Sequence, residues 1–90
     1  MIKFRIAETV FFEKQVSILK NKNIYSKIIN YVYPQLRENP FYGLNIKKLK
    51  GTLSGTYRYR IGNHRIFYEL DTENKIIVIL SIKDRKDTYK

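Results

Sequence analysis

The stretch YRYRIGNHRIFYEL, residues 57–70, fixes the centre of the predicted fold. On its first half, Arg58 and Arg60 alternate with tyrosine and isoleucine, which is the period-two pattern of a strand with one apolar and one polar face. The alternation resumes after Gly62 and Asn63. A Gly-Asn pair between two such runs is typical of a tight hairpin, because both residues tolerate positive φ.

A two-residue hairpin loop has a consequence for the charges on these strands. It places Arg60 opposite Arg65 and Arg58 opposite Phe67. Like charges directly opposite each other across a ladder are unfavourable. Two interpretations follow from the sequence: the guanidinium groups spread into water, or an absent polyanion supplies the missing countercharge.

The distribution of charge favours a functional basic surface. The chain has 18 Lys and Arg against 8 Asp and Glu, a net charge of +10. Between Glu38 and Glu69 there is no acidic residue, whereas ordinary solvated faces mix both signs. The basic residues of this interval are Lys47, Lys48, Lys50, Arg58, Arg60 and Arg65. Lys47 and Lys48 are explained equally well as part of a solvated turn.

Composition limits the class of protein. Ninety residues with 43% apolar content and 13 aromatic side chains predict a single folded domain, 1–90, with a modest core. Without cysteine, the fold must rest on packing. No apolar run is long enough for a membrane span and the amino terminus is charged, so we expect a cytoplasmic protein with no membrane association. Neither a histidine pair nor a carboxylate cluster is present, which argues against a metal or other cofactor.

The remaining elements follow from hydrophobic periodicity. Alternation predicts a first strand at 2–6, and helical spacing predicts helices at about 9–19 and 24–37. Thr9 is a candidate N-cap of the first helix. The β-branched run KIIVILSI, 75–82, predicts a central strand buried on both faces.

Two further features complete the predicted order. Pro34 is expected to kink or loosen the last turn of the second helix, and residues 40–55 are interpreted as a loop with a short apolar-basic segment. The fold is therefore predicted to be α+β with the order β-α-α-β-β-β. Two helices pack on one face of a mostly antiparallel four-stranded sheet, with the first strand beside the hairpin strands.

This order of elements accompanies LKG at 49–51, YRYRIGNHRIFYE at 57–69 and ILSIKDRKDTY at 79–89. Together they resemble the RelE/ParE superfamily of bacterial and archaeal toxins over nearly the whole chain. The resemblance implies a toxin held inactive by a cognate, RelB-like antitoxin. RelE-like members enter the ribosomal A site and cut mRNA there, and ParE-like members inhibit DNA gyrase.

The resemblance to RelE-like members also implies an active surface on the sheet. Strand positions of that surface match Arg58, Arg60 and Arg65, and the positions after the last strand match Arg85 and Tyr89. Lys50 falls where the family often carries another cation. The expected catalytic residues are Arg65, Arg85 and Tyr89, and the expected RNA-binding residues are Lys47, Lys48, Lys50, Arg58, Arg60 and Lys86.

RNA cleavage without a metal suits these residue types. The ribose 2′-OH attacks the adjacent phosphate, and the transition state gathers negative charge that Arg65 and Arg85 would stabilise. Tyr89 would stack on a splayed base or donate its hydroxyl, although it is also explained as an anchor of the terminus. His64 shares the parity of the apolar positions beside the hairpin turn, which favours a structural or partly exposed role.

The sequence leaves three functions open. The first is a ribosome-dependent mRNA endonuclease. The second is a gyrase inhibitor without nuclease activity, because close relatives commonly read Gly-His-Arg where this chain has Lys83-Asp84-Arg85. The third is a basic RNA-binding module without toxic activity.

Overall fold

A computed structural model describes residues 3–19, 23–51 and 55–84. Along the chain the elements are β1 (Arg5–Glu8), α1 (Val10–Ile18), α2 (Asn23–Lys27), a π-helical turn (Ile28–Val32), α3 (Tyr33–Glu38), β2 (Ile46–Lys48), β3 (Thr56–Ile61), β4 (His64–Asp71) and β5 (Ile76–Asp84). The described strands form one five-stranded mixed sheet in the order β1-β5-β4-β3-β2, with β1 and β5 parallel and the other neighbours antiparallel. The α+β class and the relative order of the predicted elements are confirmed.

The predicted hairpin is confirmed in its register. Strands β3 and β4 pair Ile61 with His64 and Arg60 with Arg65. Gly62 has a φ of 57°, whereas Asn63 does not have positive φ. The turn therefore needs glycine only at its first central position, as in a type II′ turn.

The prediction of four strands is wrong, because part of the expected loop 40–55 forms β2. This strand has three residues, too few for an alternation to be recognised in the sequence. It pairs antiparallel with β3, with Ile46 opposite Tyr59 and Lys47 opposite Arg58. One more cation is thereby placed beside the hairpin arginines.

The predicted position of the first strand is also wrong. The strand lies at 5–8 rather than 2–6, and it pairs in parallel with β5, Arg5 opposite Ile76. It therefore lies at the edge of the sheet farthest from β2. The intervening helices provide the crossover that a parallel pair requires, and sequence periodicity carries no information on that choice of neighbour.

Local signals account for the helices. The hydroxyl of Thr9 accepts a hydrogen bond of 3.1 Å from the Phe12 amide, as expected of an N-cap. The second predicted helix is observed as the continuous segment 23–38 with a wide turn in its middle, where the Tyr33 amide bonds to the Ile28 carbonyl. The loosening expected from Pro34 thus falls on the turn before the proline, because its ring crowds the carbonyl four residues earlier.

The described helices pack on one face of the sheet and bury a single apolar cluster. None of the helices in the described ranges is long and apolar enough to cross a membrane. The fully buried residues of the cluster are Phe12, Ile28, Val32, Leu36, Ile66, Tyr68, Ile77 and Ile79. We call this side of the sheet the covered face. No described helix contributes to the cluster from the opposite side, which we call the open face.

Candidate nucleic-acid-binding face

The strand register gathers five cations on the open face. Lys47 lies opposite Arg58, Arg60 lies opposite Arg65, and Arg65 lies opposite Lys83. Residues directly opposite each other in a ladder point to the same side of a sheet. We call the resulting set of Lys47, Arg58, Arg60, Arg65 and Lys83 the basic face.

Arg58 lies at the centre of the basic face in an unfavourable environment. Its side chain is half-buried, and its buried Nε has no hydrogen-bond partner among residues 3–19, 23–51 and 55–84. Desolvation lowers the pKa of the Arg58 guanidinium, and the charges of Arg65 and Arg60 lower this pKa further. An anion bound here would supply both a hydrogen-bond acceptor and a countercharge.

An irregularity in β5 brings Lys83 to the basic face. Phe67 pairs with Ser81 but Tyr68 pairs with Ile79, so Leu80 is the extra residue of a β-bulge. Without the bulge, alternation would place residue 83 on the covered face with Ile79. The bulge is held from outside the sheet, because the Thr9 hydroxyl donates a 3.1 Å hydrogen bond to the Leu80 carbonyl.

The end of β5 beyond the bulge is supported by α1. Strand β1 pairs with β5 only as far as Ile79. Past that point the side-chain amide of Gln15 donates to the Ile82 carbonyl at 3.0 Å and accepts from the Ile82 amide at 2.8 Å. Gln15 therefore replaces a neighbouring strand at this edge, and it fixes the part of β5 that carries Lys83.

A small apolar hollow adjoins the cations. It has a volume of about 200 Å³ and is lined by Thr56, Phe67, Leu80, Ser81 and Lys83. The ammonium of Lys83 lies 5.9 Å from the centroid of the Phe67 ring, at cation–π distance. Glu69 also lies on the open face, opposite Thr56, so a negative charge lies at this end of the basic face.

The sequence-predicted site residues fall into three groups. The structure brings together Lys47, Arg58, Arg60 and Arg65. Lys48 lies opposite Tyr57 on the other parity of β2, and Lys50 is exposed beyond the paired positions. Arg85, Lys86 and Tyr89 lie outside the described residues.

Sequence reasoning missed Phe67 and Lys83. Phe67 is the single apolar residue among the polar positions of β4, and that exception was a usable signal. Lys83 had no such signal, because the run before it is apolar at both parities and conceals the bulge.

The hairpin tyrosines pack rather than face the cations, as the sequence predicted. Tyr57, Tyr59 and Tyr68 are all buried on the covered face. The Tyr68 hydroxyl donates to the Pro40 carbonyl at 2.7 Å, and the Tyr59 hydroxyl donates to Oε1 of Gln35 at 2.6 Å. Burial raises the pKa of Tyr68 above its usual range, so this hydroxyl stays protonated.

The single histidine is also separate from the basic face. His64 is half-buried and pairs with Ile61 and Asp84 at positions that share the parity of the covered face. It lines a hollow with Gln15 and Ile82. This agrees with the structural or partly exposed role expected from its parity.

A mixed sheet with helices on one face and strand arginines on the other is the arrangement that the resemblance to RelE/ParE toxins implied. The sequence model of the family described as "ParE toxin of type II toxin-antitoxin system, parDE" matches residues 12–89. The chain belongs to this family.

The individual relatives that match include RelE-type toxins. Toxin RelG of Mycobacterium tuberculosis is 31% identical over 68 residues, which cover 74% of this chain and 75% of the relative. The archaeal RelE-RelB complex of Pyrococcus horikoshii OT3 contains a chain that matches with a TM-score of 0.74 and 26% identity, covering 93% of this chain and 97% of that one. A chain of the RelBE2 toxin-antitoxin complex of M. tuberculosis matches with a TM-score of 0.81, 93% and 100% coverage and 24% identity, which shows the shared fold.

Proposed function

We propose that this protein is a ribosome-dependent endoribonuclease that cleaves mRNA without a metal, acting as the toxin of a type II toxin-antitoxin pair. The observation that carries the proposal is the convergence of Arg58, Arg60, Arg65 and Lys83 on one open face of the sheet. The likeness to Toxin RelG and to the archaeal RelE-RelB complex supports it. Its proposed substrate places its action in the cytoplasm, where ribosomes translate mRNA.

The proposed reaction is an attack by a ribose 2′-oxygen on the adjacent phosphorus. The 2′-oxygen loses its proton to a base, its bond to phosphorus forms, and the bond from phosphorus to the 5′-oxygen breaks. The products are a 2′,3′-cyclic phosphate and a 5′-hydroxyl, and the leaving oxygen takes up a proton. The negative charge that gathers on the phosphoryl oxygens is stabilised by Arg65.

Arg85 and Tyr89 complete the proposed catalytic set, on the basis of the family resemblance. Arg85 would share the charge stabilisation with Arg65, and Tyr89 would stack on a base or donate its hydroxyl near the scissile group. Tyrosine acts as a base only in its ionised form, and its ordinary pKa is near ~10. Neighbouring cations would therefore have to lower the pKa of Tyr89 for it to act as a base.

The other cations are proposed to hold RNA through its phosphates. Arg58 is the strongest candidate, since its buried Nε has no partner among the described residues. Phosphate contacts of this kind fix position without reading sequence, and they weaken as salt is added. The proposed RNA-binding residues are Lys47, Lys48, Lys50, Arg58, Arg60 and Lys86.

An antitoxin partner, RelB-like, is proposed for the helical side. Helix α1 leaves large apolar side chains in solvent: Val10 is 66% exposed, Phe11 61% and Ile18 80%. Apolar surface of this kind marks protein contacts, and the net charge of +10 favours an acidic partner. An RelE-RelB complex among the matched structures supports this proposal.

A second candidate function is inhibition of DNA gyrase. The matching family model is that of the ParE toxins, and His64 lies away from the basic face. This candidate predicts blocked supercoiling with intact mRNA.

The test is primer extension on a reporter transcript in a translating extract. We expect the unaltered chain to produce discrete cuts, and Arg65→Ala to lower the cleavage rate by roughly a hundredfold. Arg5→Ala is the matched control, because Arg5 is exposed on the open face but lies on the edge strand β1, separated from β4 by β5. Equal cleavage by the Arg65→Ala variant refutes the proposal. Gyrase inhibition without cleavage supports the second candidate.

A further inference from the structure

One apolar side chain lies in the middle of the basic face. Phe67 is at the centre of β4, on the same parity as Arg65, and its ring is half-buried rather than part of the core cluster. It forms one wall of the hollow of about 200 Å³ described above. An aromatic ring at a position whose neighbours are charged is not explained by packing of the core.

The surroundings of Phe67 select a ligand that is both flat and anionic. Arg58 lies directly opposite Phe67 across the β3–β4 ladder. Lys83 extends over the ring, with its ammonium 5.9 Å from the ring centroid. Arg65 is two residues away along β4, and side chains at that spacing stand about 7 Å apart on one face. One nucleotide spans that separation between its base and its phosphate.

We propose that this hollow is a subsite for one unpaired nucleobase of single-stranded RNA, which stacks on Phe67 while its phosphate contacts Arg58 and Arg65. The proposal rests on the proposed function, because it deepens the description of how the same face binds its substrate. Base–aromatic stacking tolerates any base, since every base has a π-face.

The hollow also offers groups for the edge of a base. Thr56 and Ser81 lie in its lining and carry hydroxyls that can donate or accept hydrogen bonds. An apolar peptide side chain would fill the hollow but would leave the buried Nε of Arg58 without an acceptor among the described residues. An acidic peptide would supply an acceptor to Arg58 but would not use the ring. Single-stranded RNA offers both a base for the ring and a phosphate for the cations.

The experiment compares two probes on the full chain by fluorescence anisotropy. One probe is a labelled six-nucleotide single-stranded RNA, and the other is a phosphodiester chain of the same length whose sugars lack bases. We expect Phe67→Leu to weaken RNA binding by about tenfold and to leave binding of the base-free chain unchanged. Phe67→Tyr keeps the ring, so we expect it to bind RNA as the unaltered chain does.

Two controls keep a structural effect apart from a loss of stacking. Ile76→Leu changes a half-buried residue at the far end of the same sheet and should leave both affinities unchanged. Urea unfolding of each variant reports whether Phe67→Leu has lost its fold.

The proposal is overturned if a folded Phe67→Leu variant binds RNA as well as the unaltered chain, or loses the same factor for both probes. It is also overturned if the unaltered chain binds no RNA. Cleavage of mRNA on ribosomes by an unaltered chain that binds both probes equally well would overturn the subsite alone. Base-dependent binding without mRNA cleavage on ribosomes would refute the nuclease and leave the subsite standing.

Discussion

The two faces of the sheet differ in whether a charged side chain finds hydrogen-bond partners within the described residues. On the covered face, the Glu8 carboxylate accepts a 2.9 Å hydrogen bond from the Tyr25 hydroxyl and a 2.7 Å hydrogen bond from the Tyr33 hydroxyl. On the open face, the buried Nε of Arg58 has no partner within the described ranges. The same alternating strands supply both sides. The charge on the covered face is satisfied by hydroxyls of the chain itself, and the Nε on the open face is not satisfied by any described residue.

Two adjacent residues of β4, one on each face, should differ most in their effect on the free energy of unfolding. Ile66 is fully buried on the covered face, so Ile66→Ala should lower the free energy of unfolding by about 2–5 kcal/mol. Phe67→Leu, one residue away on the open face, should lower it by about 1 kcal/mol or less. Urea unfolding measures both. Similar losses in the two variants would contradict the assignment of faces.

The tyrosine–carboxylate cluster of the covered face should limit stability at high pH. Burial, the hydrogen bond to Glu8 and the Glu8 charge raise the pKa of Tyr25 to about 12. In the unfolded chain Tyr25 ionises near its ordinary value of ~10. Stability is therefore fully present below pH ~10 and is lost as the pH rises toward 12.

We expect Tyr25→Phe to remove its own part of this loss, about 1 kcal/mol after allowance for solvent screening. The measurement is the urea midpoint against pH for both proteins. A variant whose midpoint falls as steeply as that of the unaltered chain would show that Tyr25 is not responsible. Tyr33 and Tyr68, whose pKa values are also raised by burial, contribute to the remainder.

The crowded guanidinium of the open face should reduce stability. Arg58→Met keeps the length of the side chain and removes a charge that Arg65 and Arg60 repel. We expect the free energy of unfolding to rise by about 0.5–1 kcal/mol at low salt and by less at high salt, because salt screens the repulsion. RNA affinity should fall in the same variant. A less stable Arg58→Met protein at low salt would mean that the cations do not repel one another in the folded chain.

The smallest expected effect distinguishes two neighbouring lysines of β2. Lys47 belongs to the basic face and Lys48 has the opposite parity. Lys47→Ala should weaken RNA binding by roughly threefold and reduce the salt slope by about 0.7. Lys48→Ala should have a smaller effect on both quantities, because Lys48 has the parity opposite to that of the basic face. Anisotropy titrations at several salt concentrations decide between them, and equal losses would extend the RNA surface around the edge of the sheet.

The features that were predicted correctly are those that neighbouring residues in the sequence determine. The hairpin register follows from alternation around one Gly-Asn turn, so the convergence of Arg60 and Arg65 was available from the sequence. The buried tyrosines followed from the same parity. The N-cap role of Thr9 required only its position before an apolar helix.

The features that were not predicted depend on contacts between segments that are distant in the sequence. Strand β2 is too short to show a period, and it exists because β3 offers it a pairing edge. The bulge at Leu80 leaves no mark in a run that is apolar on both parities, so Lys83 was not predicted on the basic face. The choice of β5 as the neighbour of β1 depends on the crossover, which periodicity does not report.

The pairing of β1 with β5 also affects when the fold can form during synthesis. Arg5 pairs with Ile76, and β5 follows every other described strand along the chain. During synthesis β1 and the β3–β4 hairpin therefore cannot be joined into one sheet until β5, which lies between β1 and β4, has emerged. Contacts of such long sequence separation form slowly. This delay separates the time at which the arginines are synthesised from the time at which β5 completes the sheet beside them.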